Sequence, residues 1–160
     1  MAREYGRYLS KSHRDCDWTA LTTTQHDCFM ALVSSEDINW AGVLPYVPTR
    51  FAGLAADLTE RKVEAVWAEL ARANLLVIDK KTGELGVRTF IKHDNVLAKP
   101  NLTKAFIRAF GHVRSASIRQ AIMGELAKLL ATRPDLAGWA QIEEQLPELF
   151  LELFAEGFQG

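Results

Sequence analysis

The chain has 160 residues, 48% of them apolar and 24% charged. That suffices for one ordinary domain, or a small domain with a helical annex, and excludes a chain disordered by composition. Its net charge of −1 hides an asymmetry: residues 1–114 carry 16 basic against 13 acidic side chains, residues 115–160 carry 3 against 7, and residues 80–114 alone hold 8 against 2, so a polyanion is a partner to consider.

Two cysteines, Cys16 and Cys28, with no His or Cys at a ligand spacing, suggest neither a disulfide framework nor a metal site, and reduced thiols in a cytoplasmic protein are expected. The start, MAREYGRYLSKSHRD, lacks the apolar core of a signal peptide. No run elsewhere is long and apolar enough for a bilayer, so no membrane association is expected.

In chain order, Tyr5 to Leu9 alternate as a short strand, and Asp15-Cys16-Asp17-Trp18 reads as a turn anchored by an aromatic. Thr22 caps a helix through Ser35, with Phe29, Leu32 and Val33 facing a core. Residues 36–48 contain Gly42, Pro45 and Pro48 and are loop or short extended segment. Thr49 then caps a short helix through Ala56, with Phe51, Leu54 and Ala55 inward. After a break at 57–59, Thr59-Glu60-Arg61-Lys62 opens a longer helix to about Ala73, whose apolar stripe is Val63, Val66, Trp67, Leu70 and Ala73. Asn74 stops it.

Residues 75–78 and 85–91 flank the turn Asp79 to Glu84 and predict a β-hairpin. A helix over 99–114 is opened by Pro100, with Leu102, Ala105, Phe106, Ala109 and Phe110 on one side. Another runs from Ser117 to Ala131, punctuated by Arg133-Pro134. At the end, Leu149, Phe150, Leu153 and Phe154 recur at helical spacing among Glu148, Glu152 and Glu156, and the closing EGFQG also suits the start of a flexible tail.

Helix, short helix, break, longer helix and hairpin is the order of a winged helix-turn-helix. The predicted fold is therefore mainly α with a small β-hairpin. Residues 1–98 form the winged helix-turn-helix, and residues 99–160 form a helical extension for dimerisation or partner binding. The expected partner is double-stranded DNA, because a B-form major groove accepts one helix held outward.

On the longer helix, Thr59, Arg61, Lys62, Ala65 and Ala68 lie off the apolar stripe; Arg61 and Lys62, in the first turn, are the first candidates for base contact, with Thr59 beside them. Glu60, Glu64 and Glu69 share that helix, and each repels phosphate unless it faces away or reads a cytosine amino group. Lys80 and Lys81 at the hairpin tip are candidates for phosphate contact, with Arg88 and Lys92 extending the stripe along the returning strand and Arg50 at the start of the short helix adding to it. Lys99, Lys104, Arg108 and Arg114 either continue the basic surface or solubilise the next helix. Trp67 and Trp40 read as core aromatics rather than stacking platforms.

No enzyme and no cofactor are expected. Asp15 and Asp17, or Glu143 and Glu144, are too close in sequence to face one another and lack a His or metal partner. His13, His26, His93 and His112 are scattered, and Walker A, GxGxxG and GxSxG strings are missing.

Four strings, REYGRY over 3–8, Asp15-Cys16-Asp17-Trp18-Thr19-Ala20-Leu21-Thr22, AGVLPYVPTRFAGLA over 41–55 and VRTFIKHDNVLAKPN over 87–101, make the segment 3–114 resemble a group of actinobacteriophage and actinobacterial prophage helix-turn-helix proteins of replication-initiator type. These are similar to DnaD-like and replication-protein-O-like initiators. The resemblance implies a phage protein that binds origin DNA through a winged helix and recruits a helicase or its loader, with the acidic C-terminal helices as the partner or self-association module. With three Glu on the recognition helix, a homodimer through those helices would double the DNA contacts. A transcriptional regulator or repressor of the same fold, and a winged-helix protein-interaction module without DNA binding, stand as alternatives.

Overall fold

The computed structural model describes residues 16–157; the strand read at residues 5–9 lies outside them. The described chain opens with a four-residue helix, α1 (Cys16–Thr19), where the sequence suggests a turn. Trp18 curls back onto the next helix, stacking on His26 at 4.2 Å and meeting Phe29 edge-on at 5.6 Å. That helix, α2 (Thr23–Val33), starts where the sequence places it. Thr22 Oγ1 accepts from the Gln25 amide at 3.2 Å while Gln25 Oε1 accepts from the Thr22 amide at 2.9 Å, a reciprocal pair that satisfies two otherwise orphaned donors.

Residues 36–48 contribute a strand, β1 (Val43–Pro45), and not only a loop. Asn39 Oδ1 accepts from the amides of Ala41 and Val43 at 2.9 and 3.1 Å. Gly42 takes φ +75° between them, and its carbonyl accepts from Val87 at 2.8 Å. The short helix α3 covers Thr49–Ala52, with Pro48 rather than Thr49 in the capping position. It ends four residues before the expected Ala56, and of its three expected core residues only Phe51 enters the core, since Leu54 is 61% exposed and Ala55 is exposed.

Helix α4 (Glu60–Arg72) is capped by Thr59, whose hydroxyl accepts from the Lys62 amide at 3.2 Å. Val63, Val66, Trp67 and Leu70 are buried. Ala73, read as part of that stripe, is instead the exposed residue ending the helix, and Asn74 turns the chain with φ +64°.

Strands β2 (Leu76–Asp79) and β3 (Glu84–Val87) form the expected hairpin. The small β element is larger than a hairpin, however: β1 pairs antiparallel with the other side of β3, Val43 opposite Gly86, giving a three-stranded sheet of order β1-β3-β2. As the central strand β3 is buried at all four positions, so both its faces are covered.

The returning strand stops at Val87, four residues short of the expected Ile91. Phe90 and Ile91 are both buried, at adjacent positions beyond the last paired residue of the hairpin, Val87 opposite Leu76. The chain forms a helical turn instead, α5 (Phe90–His93). Arg88 thus lies just beyond the strand and Lys92 lies on α5, neither on the returning strand.

A 3-10 turn (Val96–Ala98) leads to α6 (Pro100–Gly111), with Pro100 in its first turn as read. Then come α7 (Ala116–Thr132), α8 (Trp139–Gln145) and α9 (Pro147–Gly157). Buried side chains from α2 through α9 form one cluster, with Trp40 partly buried against it. Among the described residues no helix is long and apolar enough to cross a membrane.

The sheet and α7 are tied at two points. A Cβ on Gly86 would stand 2.9 Å from Ile118 Cγ2, so α7 packs directly on the bare backbone of β3. Nearby, the buried Glu84 carboxylate accepts from the amides of Ser115 at 2.7 Å and Arg114 at 3.2 Å, serving the start of α7. Glu84→Ala leaves those two amides without their acceptor, and since each buried unsatisfied donor costs roughly 1–3 kcal/mol, a loss of about 2–4 kcal/mol in unfolding free energy by denaturant titration is expected. Arg114→Ala, which removes a side chain 70% exposed, has a much smaller effect; equal losses would show that the carboxylate does not serve the amides.

Candidate nucleic-acid interface

Helix α4 turns its apolar stripe inward, and at 100° per residue the positions opposite that stripe are 61, 65, 68 and 72. They hold Arg61, Ala65, Ala68 and Arg72, of which Ala68 is half-buried and the others are exposed. The outward face therefore presents two guanidinium groups at its ends with two small residues between them. Among the described residues, neither Arg61 nor Arg72 has a side-chain hydrogen bond or ion pair.

The acidic residues of α4 fall on its flanks. Glu64, half-buried, accepts from the Tyr46 hydroxyl at 3.2 Å. Glu69 accepts from Gln25 Nε2 at 2.7 Å on the side facing α2. Glu60 is exposed in the first turn, where the helix dipole favours a carboxylate. Two of the three negative charges are drawn toward neighbouring elements, away from the Arg61–Arg72 ridge.

The hairpin tip is short and braced. Asp79 Oδ1 accepts from the amides of Lys81 at 3.0 Å and Thr82 at 3.3 Å, and Gly83 closes the loop with φ +69°. Its carbonyl accepts from the Tyr46 amide at 2.8 Å. Hydrogen bonding from Ser115 first, then from the Thr82 and Lys81 amides, holds the Asp79 carboxyl below the ordinary carboxylate range against the opposing effect of burial. Its charge is thereby committed to Ser115 and to the backbone of the loop, while Lys80 and Lys81 stay exposed. Lys80 Nζ lies 5.4 Å from the centre of the Tyr46 ring, within cation–π range.

The remaining sequence candidates are placed as follows. Thr59 is exposed and caps α4. Lys62 is exposed, and its ammonium donates to the Asp57 carbonyl at 2.7 Å. Arg50, at the start of α3, is paired with Asp37 at 2.6 Å. Arg88 is mostly covered and faces Glu125 of α7 at 3.8 Å, so its charge is met inside the fold. Lys92 is exposed on α5, a turn that packs against α7. The structure thus groups Thr59, Arg61 and Lys62 on α4 and Lys80 and Lys81 at the tip, and it sets Arg88 and Lys92 apart on the side of α7.

Tyr46 is the site residue that sequence reasoning missed. It stands edge-on to Trp67 at 5.4 Å, reaches Glu64 with its hydroxyl and the tip with its amide, and so links α4 to the hairpin. The only local signal is an aromatic with a polar end in a stretch bounded by Pro45 and Pro48. Burial first, and then the Glu64 charge, push its hydroxyl above the ordinary phenol range, so it stays protonated and donates.

No group of three or more His, Cys, Asp or Glu that would hold a metal occurs among the described residues. The Cys28 thiol is pushed up by burial and by Asp27, which suits an inert core thiol rather than a nucleophile. A separate cleft of about 600 Å³ opens between α6, α7 and the α8–α9 junction, lined by Ile107, Phe110, Arg119, Met123, Leu146 and Leu149 among others, and none of the eight sequence candidates lines it. Compared with known proteins, the chain matches no family model, and no curated protein or solved structure matches it significantly.

Proposed function

We propose that the part of the chain up to residue 98 is a winged helix-turn-helix that binds double-stranded DNA, with α4 in the major groove and the β2–β3 hairpin as a wing on the phosphate backbone. One observation carries this reading: the outward ridge of α4 has Arg61 and Arg72, without a side-chain partner among the described residues, around Ala65 and Ala68, while Glu64 and Glu69 of the same helix are held aside. Small residues let the helix backbone approach base edges closely, and guanidinium groups read guanine or phosphate. The order α2, β1, α3, α4, β2, β3 and the sheet order β1-β3-β2 support the same assignment.

Resemblance of residues 3–114 to phage initiators supports a replication-initiation or helicase-loading role rather than catalysis. On that reading the acidic C-terminal helices receive a protein partner, either a second copy or a helicase loader. Leu151 at 69% and Phe154 at 43% exposure on α9 supply apolar surface for it. A second reading, a protein-interaction module without DNA, is favoured by the exposed Leu54 just before α4.

Titration of a mixed-sequence duplex at about 50 and about 200 mM salt separates the two, because each neutralised phosphate contributes roughly 0.9 to the slope of log affinity against log salt. The wild-type chain is expected to lose affinity steeply over that range. Changing Lys80→Ala together with Lys81→Ala weakens binding to all sequences and flattens the slope by about 2. Arg61→Ala reduces discrimination between sequences more than bulk affinity. Absence of salt-dependent binding by the wild-type chain would sink the DNA reading.

A further inference from the structure

An acidic side chain beside a phosphate-binding surface weakens binding unless something holds it back, and Glu64 is the acid of α4 nearest the hairpin through its tyrosine partner. Tyr46 is itself anchored on both sides of the cleft between helix and wing. Its ring packs edge-on against Trp67 inside α4, its amide donates to the Gly83 carbonyl of the tip, and its hydroxyl donates to Glu64 Oε1 at 3.2 Å. Lys80 Nζ rests over the face of the same ring. One residue therefore sets the place of a carboxylate that opposes DNA and of an ammonium that attracts it.

We infer that Tyr46 is a positioning residue for the duplex: its hydroxyl keeps the Glu64 carboxylate on the flank of α4, away from the Arg61–Arg72 ridge, while its ring holds Lys80 at the hairpin tip. This rests on the DNA-binding reading above. In Tyr46→Phe the ring and its Trp67 packing are retained, while the hydroxyl's hold on Glu64 and its lesser interaction with Lys80 are lost. The freed carboxylate then swings within the range of the phosphates, where unscreened like charges repel.

The test is a double-mutant cycle on the full chain, using Tyr46→Phe, Glu64→Gln and the pair together, with a mixed-sequence duplex as the probe at low and high salt. Tyr46→Phe is expected to weaken binding about 3- to 10-fold at low salt, with the loss shrinking at high salt as screening sets in. Glu64→Gln alone changes affinity less than about twofold, since its charge is already held aside. In the Glu64→Gln background the Tyr46→Phe change has only a residual effect, below about twofold, from the hydroxyl's interaction with Lys80. Equal losses from Tyr46→Phe with and without the Glu64 carboxylate would overturn the inference and make the hydroxyl a direct DNA contact or a purely structural group. Unchanged binding by Tyr46→Phe would overturn it as well, while the DNA reading survives in both cases. If the wild-type chain binds no duplex in a salt-dependent way, both fall.

Discussion

Gly42→Ala is expected to destabilise the fold by about 2–5 kcal/mol. Two costs combine. The left-handed backbone at φ +75° penalises any Cβ by roughly 1–2 kcal/mol, and the added methyl would stand 2.5 Å from Phe90 Cβ and 2.8 Å from Phe90 Cγ, an overpacking that costs roughly 1–3 kcal/mol. Phe90 is 1% exposed and has nowhere to go, and the Gly42 carbonyl must stay in place to receive the Val87 amide. Gly83→Ala is the internal control: its φ of +69° is similar but nothing lies within 4 Å of the added carbon, so only the backbone cost of about 1 kcal/mol applies. Denaturant midpoints at unchanged slope would measure both. Equal losses at the two glycines would show that the Phe90 contact carries no energy.

Trp67→Ala is expected to cost about 3–5 kcal/mol, the range for emptying a buried aromatic site. Trp67 is 0% exposed, and the rings of Phe51 and Tyr46 stand edge-on to it at 5.1 and 5.4 Å. Its removal opens a cavity where α3, α4 and the segment after β1 meet. A domain at the lower end of ordinary stability, about 5–15 kcal/mol, would survive this only narrowly. Trp67→Phe should cost much less than half as much, because it keeps an aromatic against both rings and removes an indole N–H that has no hydrogen-bond partner among the described residues. Thermal unfolding of the two variants distinguishes these effects, and a Trp67→Phe loss as large as that of Trp67→Ala would contradict the role given to ring packing.

The parts of the fold legible in the sequence are those whose cause is local. The Thr22 and Thr59 caps, the stripe Val63, Val66, Trp67 and Leu70, the left-handed Asn74 and the Pro100 start all lie within a few residues of the structure they produce. Strand β1 is different. Three residues ending in a proline carry no pattern of their own, and they become a strand because Leu85 and Gly86, some forty positions later, supply the partner. The end of β3 is hidden for a related reason: alternation over 85–91 looks like a strand, but β2 supplies a partner only as far as Leu76 opposite Val87.

At the candidate interface the cations were readable as charges but their neighbours were not. Glu64 and Glu69 look like liabilities on α4 because their partners, Tyr46 and Gln25, stand 18 and 44 positions away. Arg88 looks like part of a basic stripe because Glu125, which answers its charge, belongs to a helix far along the chain. Pairings across the fold decide which charges remain available, and spacing along the chain is silent about them.

Gly86 leaves no gap between the middle strand and Ile118, and that absence of slack has mechanical meaning. Ile118 of α7 meets bare strand backbone with no side chain between, and the turn that carries Lys80 and Lys81 leads directly into that strand. The rear helices thus brace, at close quarters, the sheet from which the loop projects.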